Sequence, residues 1–229
     1  MTLAVRDVRL SYGDLLVLDG VSFAAEDGEF VGVTGPSGCG KTSLLQVLAG
    51  LQPVSQGVVS VPREELAFVF QRPMLLPWRT VLDNAAFGLE CRGVAEEQAR
   101  ARAAKMLDAV GLSAFAAYLP HQLSEGMKQR LNLARAMAVR PRLVLLDEPF
   151  SALDGGARRE LQDLLLDFWA KERFTAVFVS HWIEELAYLA GRIVVLSERP
   201  ATVKRTVTLD LPRPRRRDPE EAGLMRPSA

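Results

Sequence analysis

Short apolar runs alternate with longer segments of helical period along this chain, a pattern that predicts an α/β fold. Residues 3–10 and 15–24 read as strands around a turn at Tyr12-Gly13-Asp14, with Val17, Val21 and Phe23 as core positions. Phe30-Val31-Gly32-Val33-Thr34 is short enough for a buried strand and runs into a glycine-rich turn. The helix predicted beyond it puts Leu44, Leu45 and Leu48 on one face and stops at Gly50. Residues 57–61 and 66–70 give two more short strands, the second ending at Gln71-Arg72-Pro73.

From residue 79 to 139 the period is helical. Ala99, Ala103, Met106, Leu107 and Val110 recur at i, i+4, i+7, i+8 and i+11, Gly111 closes that helix, and Arg100, Arg102 and Lys105 form its solvated face. A further helix starts at Ser124, carries Met127, Leu131, Ala134 and Ala138 on one side, and stops before Pro141. This block reads as a helical insertion between strands of a core sheet. Residues 143–146 are continuous aliphatics, as a strand buried on both faces requires, and they end in Asp147-Glu148-Pro149. A helix over 157–169 turns Leu161, Leu164, Leu165, Phe168 and Trp169 inward, and a strand over 174–179 ends at Ser180-His181. A short helix to Gly191 and a hairpin-like pair over 192–196 and 201–209 close the fold. The division expected is one domain over 1–210 and an Arg/Pro-rich tail over 211–229. There Arg213, Arg215, Arg216 and Arg217 stand among prolines that bury little apolar surface, so the tail is expected to be a mobile end.

Composition narrows the function classes. A chain of 229 residues can bury a full core, and its 48% apolar and 24% charged residues are ordinary for a soluble globular protein. Lys+Arg and Asp+Glu balance at 28 each, so no bulk field points to nucleic acid or anionic lipid. Cys39 and Cys91 have no metal-ligand spacing, and Cys39 lies in the glycine-rich turn, which argues for a reducing compartment. No basic-then-apolar leader opens the chain, and no apolar run approaches the roughly 18 residues of a membrane span. A cytoplasmic location is expected, with any membrane link made through a partner.

Candidate chemistry gathers at the strand ends. Gly35 to Thr42 fits G-x-x-x-x-G-K-[ST], a P-loop placed between a predicted strand and a predicted helix. Glycines let the backbone of Gly35, Pro36, Ser37, Gly38, Cys39, Gly40, Lys41, Thr42 and Ser43 wrap closely around phosphate oxygens, and the helix N-terminus adds partial positive charge. Lys41 can reach the β- and γ-phosphates, and the Thr42 hydroxyl is placed to ligate Mg²⁺. Asp147 and Glu148 end a buried strand as a Walker-B-like pair: the first can hold Mg²⁺ and the second can polarise the attacking water. Tyr12 reads either as a half-buried strand aromatic or as a ring stacked on adenine. Gln71 is either a solvated loop residue or a polar group at the ligand-binding edge of the sheet. His181 also lies just past a strand end, a position that favours contact with the γ-phosphate over a purely structural role.

Together these residues resemble the ATP-binding subunit of ABC transporters over roughly residues 3–210. Leu123-Ser124-Glu125-Gly126-Met127-Lys128-Gln129-Arg130 matches that family's signature segment, usually L-S-G-G-Q-x-Q-R, and Ser151-Ala152-Leu153-Asp154 matches its D-loop. Gln71, His181 and Tyr12 fall where its Q-loop, switch histidine and adenine-stacking aromatic belong. The resemblance implies a P-loop NTPase three-layer core with an N-terminal antiparallel β subdomain and a helical insertion subdomain. It implies catalysis by Glu148, His181, Lys41 and Gln71, with Thr42, Gln71 and Asp147 around Mg²⁺. It also implies a head-to-tail homodimer in which each P-loop, with its ATP, faces the partner copy's Ser124 and Gly126, with Asp154 at the same interface. Polytopic membrane permease subunits would dock near Gln71 and the helical block, a solute-binding protein would act indirectly, and nucleic acid would have no part. The enzyme would sit peripherally on the inner face of the cell membrane.

Three departures stand out. Glu125 replaces the usual first glycine of the signature and Met127 the usual Gln, while Trp182 stands where an acidic residue commonly follows the histidine. Residues 76–84, Gly126-Met127 and Ser197-Glu198-Arg199-Pro200 resemble the branch importing nitrate, sulfonate, taurine and related small molecules. The rival readings are a soluble ABC-type ATPase acting on DNA, ribosomes or cluster assembly, and a nucleotide-dependent interaction module without hydrolysis. The first usually carries long coiled-coil insertions or a second cassette, which this chain lacks, and the Asp147-Glu148 pair argues against the second.

Overall fold

The computed structural model describes residues 2–210 and residue 215. Two strands, β1 (Leu3–Tyr12) and β2 (Leu15–Ala25), run antiparallel around Gly13, whose φ of 57° suits a tight turn. Strand β4 (Gln56–Ser60) pairs with the far edge of β1, giving a three-stranded sheet in the order β2-β1-β4. The larger sheet has the order β5-β6-β7-β3-β8-β9. Its strands β5 (Leu66–Val69), β6 (Leu143–Asp147), β7 (Thr175–Val179), β3 (Phe30–Thr34) and β8 (Arg192–Leu196) are parallel, and β9 (Val203–Thr208) closes the edge antiparallel to β8.

Every residue of β3, β6 and β7 is buried, which is why these segments read as unbroken apolar runs. Alternation along them feeds two cores. Leu143, Leu145, Val177, Val179, Val31 and Val33 face the helix α1 (Lys41–Ala49), through Leu44, Leu45 and Leu48, and the small sheet. Val144, Leu146, Ala176, Phe178 and Phe30 face the opposite layer of helices. That layer holds α2 (Val81–Cys91), α3 (Glu96–Ala109) and α4 (Glu125–Ala138), all between β5 and β6 in the chain, then α5 (Gly155–Glu172) and α6 (Ile183–Leu189). The result is the three-layer α/β core with an antiparallel sheet at its N-terminal end.

Element ends differ modestly from the sequence pattern, each for a local reason. Helix α5 begins at Gly155 rather than 157, because the Asp154 carboxylate accepts hydrogen bonds from the N–H groups of Gly156 and Ala157 and starts the helix despite its two glycines. Leu164 and Trp169 on that helix, and Met127 on α4, are half-buried rather than fully enclosed. The closing hairpin is also pinned to the small sheet: the N–H of Ala201 donates to the Val17 carbonyl and that of Asp19 to the Ala201 carbonyl. The 211–229 tail lies outside the described residues except for Arg215, whose guanidinium donates to the Ala187 and Leu209 carbonyls.

Candidate active site

The site begins where β3 ends. Gly38 and Gly40 have φ of 73° and 115°, conformations that L side chains rarely adopt, and a Cβ on Gly40 would sit 2.7 Å from Val17 Cγ1. Gly40 is the N-cap of α1 and supplies no side-chain oxygen, so the N–H groups of the first turn are left for an anion. Lys41, only 8% exposed, folds back along its own loop and donates to the carbonyls of Gly35 and Pro36, each at 2.9 Å. The Thr42 hydroxyl donates to Asp147 Oδ1 at 3.2 Å.

Asp147 and Glu148 arrive at the end of β6, beside β7. Burial pushes the Asp147 carboxyl above its ordinary range; the Thr42 hydrogen bond opposes this, the Glu148 charge adds to it, and Lys41 pulls it back. Glu148 has φ 43°, left-handed for a residue with a side chain, and its N–H donates to the Val179 carbonyl at the end of the neighbouring strand. His181, two residues beyond Val179, places Nδ1 3.2 Å from Glu148 Oε2. Gln71 reaches the same place from β5. Its Nε2 donates to Ser151 Oγ at 3.2 Å, and that hydroxyl donates to the Glu148 carbonyl at 3.0 Å.

One cleft is lined by Tyr12, Ser37, Gly38, Gly40, Lys41, Thr42, Ser43, Gln71 and Glu148. Tyr12 is 43% exposed at its rim, with its hydroxyl 3.5 Å from Ser43 Oγ. The ring is thus open to stacking rather than committed to the core. Leu15, Val17 and Arg199 also line this cleft. Sequence reasoning missed their role, since Leu15 and Val17 look like any strand residues and Arg199 lies far along the chain from the P-loop. Asp147 and Thr42 offer hard oxygens side by side, and a buried carboxylate raised in pKa gains from a nearby cation, so this pair fits Mg²⁺.

Ser124, Gly126 and Asp154 do not line the cleft. Ser124 is the N-cap of α4 and accepts from the Met127 N–H at 3.3 Å. A Cβ on Gly126 would lie 3.8 Å from Ala157 Cβ, so the N-terminal ends of α4 and α5 adjoin. Glu125 is turned along its own helix, its carboxylate 2.6 Å from Lys128 Nζ.

A family model described as ABC transporter matches residues 18–151. An uncharacterised ABC transporter ATP-binding protein of Methanocaldococcus jannaschii is 45% identical over 87% of this chain and 78% of its own length. The taurine import ATP-binding protein TauB of Yersinia pestis is 44% identical, over 84% and 78% of the two chains. An aliphatic sulfonates import ATP-binding protein, SsuB 1, of Pseudomonas syringae is 41% identical, over 96% and 93%. Among solved structures, a bacterial ABC transporter cassette determined as a dimer superposes with a TM-score of 0.82 at 30% identity, covering 91% of this chain and 99% of that one. The same cassette in a post-hydrolysis state bound to ADP and Pi gives a TM-score of 0.81 at 29% identity over the same shares. With a P-loop, a strand-end Asp-Glu pair and His181 assembled on this fold, the chain belongs to the ABC transporter family and is one of its ATP-binding, ATP-hydrolysing subunits.

Proposed function

We propose that this chain powers an importer of small solutes by ATP-driven closure of a head-to-tail homodimer. The observation that carries the reading is the convergence of Lys41, Thr42, Asp147, Glu148 and His181 in and beside one cleft, while Ser124, Gly126 and Asp154 stand outside it. A γ-phosphate held at the P-loop would lack the signature segment's donors within its own subunit. A second copy can supply them, since α4 presents the free N–H groups and positive end of its dipole at Ser124.

Within the closed dimer, Lys41 leaves the Gly35 and Pro36 carbonyls for the β- and γ-phosphates. Tyr12 stacks on the adenine. Thr42 and Asp147, with Gln71 nearby, would hold Mg²⁺, which when bound would supply charge neutralisation of the phosphates. Glu148 takes the proton of the attacking water, and His181 contacts the γ-phosphate from the adjacent strand end. ATP thus joins the two subunits and its hydrolysis releases them, which converts bond cleavage into motion.

The importer reading is supported by the taurine and sulfonate import relatives. A groove beside Gln71 fits a membrane-subunit partner: Phe68, Phe70, Met74 and Phe87 form its apolar floor, with Arg92 and Arg135 at its margin. Trp78, 74% exposed, lies in the segment between β5 and α2 that borders it. No helix among the described residues is long and apolar enough to cross a membrane. The decisive experiment is Glu148→Gln. The variant retains ATP binding, loses turnover by about 10²-fold or more and accumulates as an ATP-bound dimer. Wild-type turnover in this variant removes Glu148 from the base role, and co-purification with a polytopic membrane protein tests the transport assignment.

A further inference from the structure

Behind His181 lies a polar cluster that the chemistry above leaves unused. Glu185, in the first turn of α6 and 5% exposed, accepts a 2.6 Å hydrogen bond at Oε2 from Ser180 Oγ. The same Ser180 oxygen accepts from the Trp182 N–H at 3.0 Å. These two bonds fix both flanks of His181, the residue between them.

Arg158 approaches from the other side, on the first turn of α5. Its Nη2 donates to the Leu153 carbonyl at 3.1 Å, which ties it to the 151–154 loop. Its guanidinium also lies 5.3 Å from the centre of the Trp182 ring, a cation over an aromatic face. Tryptophan at position 182, in place of the acidic residue usual there, is what provides that face. Arg158 Nε and Glu185 Oε1 lie 3.7 Å apart, beyond a good hydrogen bond, and neither buried atom has another hydrogen-bond partner among the described residues. Two buried atoms of opposite charge left just apart form a contact that is open in this state, and a shift of less than about 1 Å closes it. Burial pushes the Glu185 carboxyl up in pKa, with the Ser180 bond and then Arg158 opposing, as expected of a carboxylate whose charge is not yet fully paired.

We infer that Arg158 and Glu185 are positioning residues that register the His181 turn against the 151–154 loop, so that docking of a second copy on that loop is felt at His181. The inference rests on the proposed contact of His181 with the γ-phosphate. When the partner presses on the loop, the first turn of α5 moves with Leu153, Arg158 closes on Glu185, and Ser180 with Trp182 carries the displacement to His181.

The test compares Arg158→Met, Arg158→Lys and Glu185→Gln with His181→Ala in the full chain, by steady-state and single-turnover ATP hydrolysis, ATP binding and thermal melting. Arg158→Met and Glu185→Gln lower kcat about tenfold or more while the Kd for ATP stays within about twofold, and Arg158→Lys restores part of the rate. The double variant Arg158→Met/His181→Ala is no slower in single turnover than His181→Ala alone, because both act through one group. A purely structural pair instead lowers the melting temperature and leaves kcat intact at permissive temperature, which overturns the inference, as does a multiplicative loss in the double variant. If His181→Ala keeps wild-type turnover, the reading of His181 fails and this inference with it. If His181→Ala is inactive while the folded Arg158→Met and Glu185→Gln variants keep wild-type rates, this inference alone fails.

Discussion

At the scale of single residues, the site holds charged groups in places that oppose folding. Asp147 is buried at the end of β6 with the Thr42 hydroxyl as its hydrogen-bond partner, and its carboxyl is raised above the ordinary 3.8 chiefly by that burial. Over the pH range between 3.8 and the raised value, the native state binds more protons than the unfolded chain, so this group makes stability fall as pH rises through that window. The deficit persists at neutral pH. Asp147→Asn keeps an oxygen to accept from Thr42 and removes the charge. Its nucleotide-free form melts higher than wild type at pH 7, the difference vanishes toward pH 3, and Mg²⁺-dependent turnover is lost. A lower melting temperature at pH 7 would contradict the assignment of a burial penalty. Glu148, with its left-handed backbone, stores strain at the neighbouring position, consistent with a geometry set by the site rather than by local preference.

At the scale of elements, α4 links the signature segment to the Gln71 loop. Gln129, Asn132 and Arg135 recur every three residues along one edge of the helix. Gln129 Nε2 donates to the Gln71 carbonyl at 2.7 Å, Asn132 Nδ2 to the Phe70 carbonyl at 3.2 Å, and Arg135 Nη1 to the Met74 carbonyl at 2.6 Å. These three bonds tie that loop to the helix whose first turn carries Glu125 and Gly126. Glu125 is 62% exposed on its side chain and engages Lys128, so its carboxylate is partly neutralised and directed along the helix. A negative charge in the first turn suits the helix dipole but opposes an incoming γ-phosphate. Glu125→Gly is expected to strengthen ATP-driven dimerisation severalfold, measured by gel filtration in the Glu148→Gln background, and to raise the ATPase rate at limiting ATP. Unchanged values in both assays would show that Lys128 already cancels the repulsion.

At the scale of the whole molecule, two cores on opposite faces of the large sheet hold the cleft and the signature segment as parts of one subunit, yet Ser124, Gly126 and Asp154 do not line that cleft. The head-to-tail dimer proposed above would supply them from a second copy by symmetry. Mixing subunits tests it: Lys41→Ala and Ser124→Arg proteins are each inactive alone, since every composite site contains one lesion. A mixed dimer has one site with both lesions and one with neither. Random pairing therefore recovers up to about a quarter of wild-type turnover. Absence of any recovery, with mixed dimers verified by tagging, would argue that each subunit completes its own site.

Short-range chemistry was legible directly from the residues. The strand-turn-helix around Lys41, the buried strands before Asp147 and His181, and the helix start at Ser124 all follow from apolar period, glycine and short polar side chains acting on their immediate neighbours. Tertiary structure alone decided what depends on strand order. It placed β6 beside β7 and so brought Glu148 to His181, let Gln71 reach Ser151, pinned the Arg199 turn to β2 at the cleft wall, and faced Arg158 toward Glu185. Hydrophobic period records which side of an element is buried but not which element covers it, because burial is non-directional while hydrogen bonds and ion pairs need specific partners at about 3 Å.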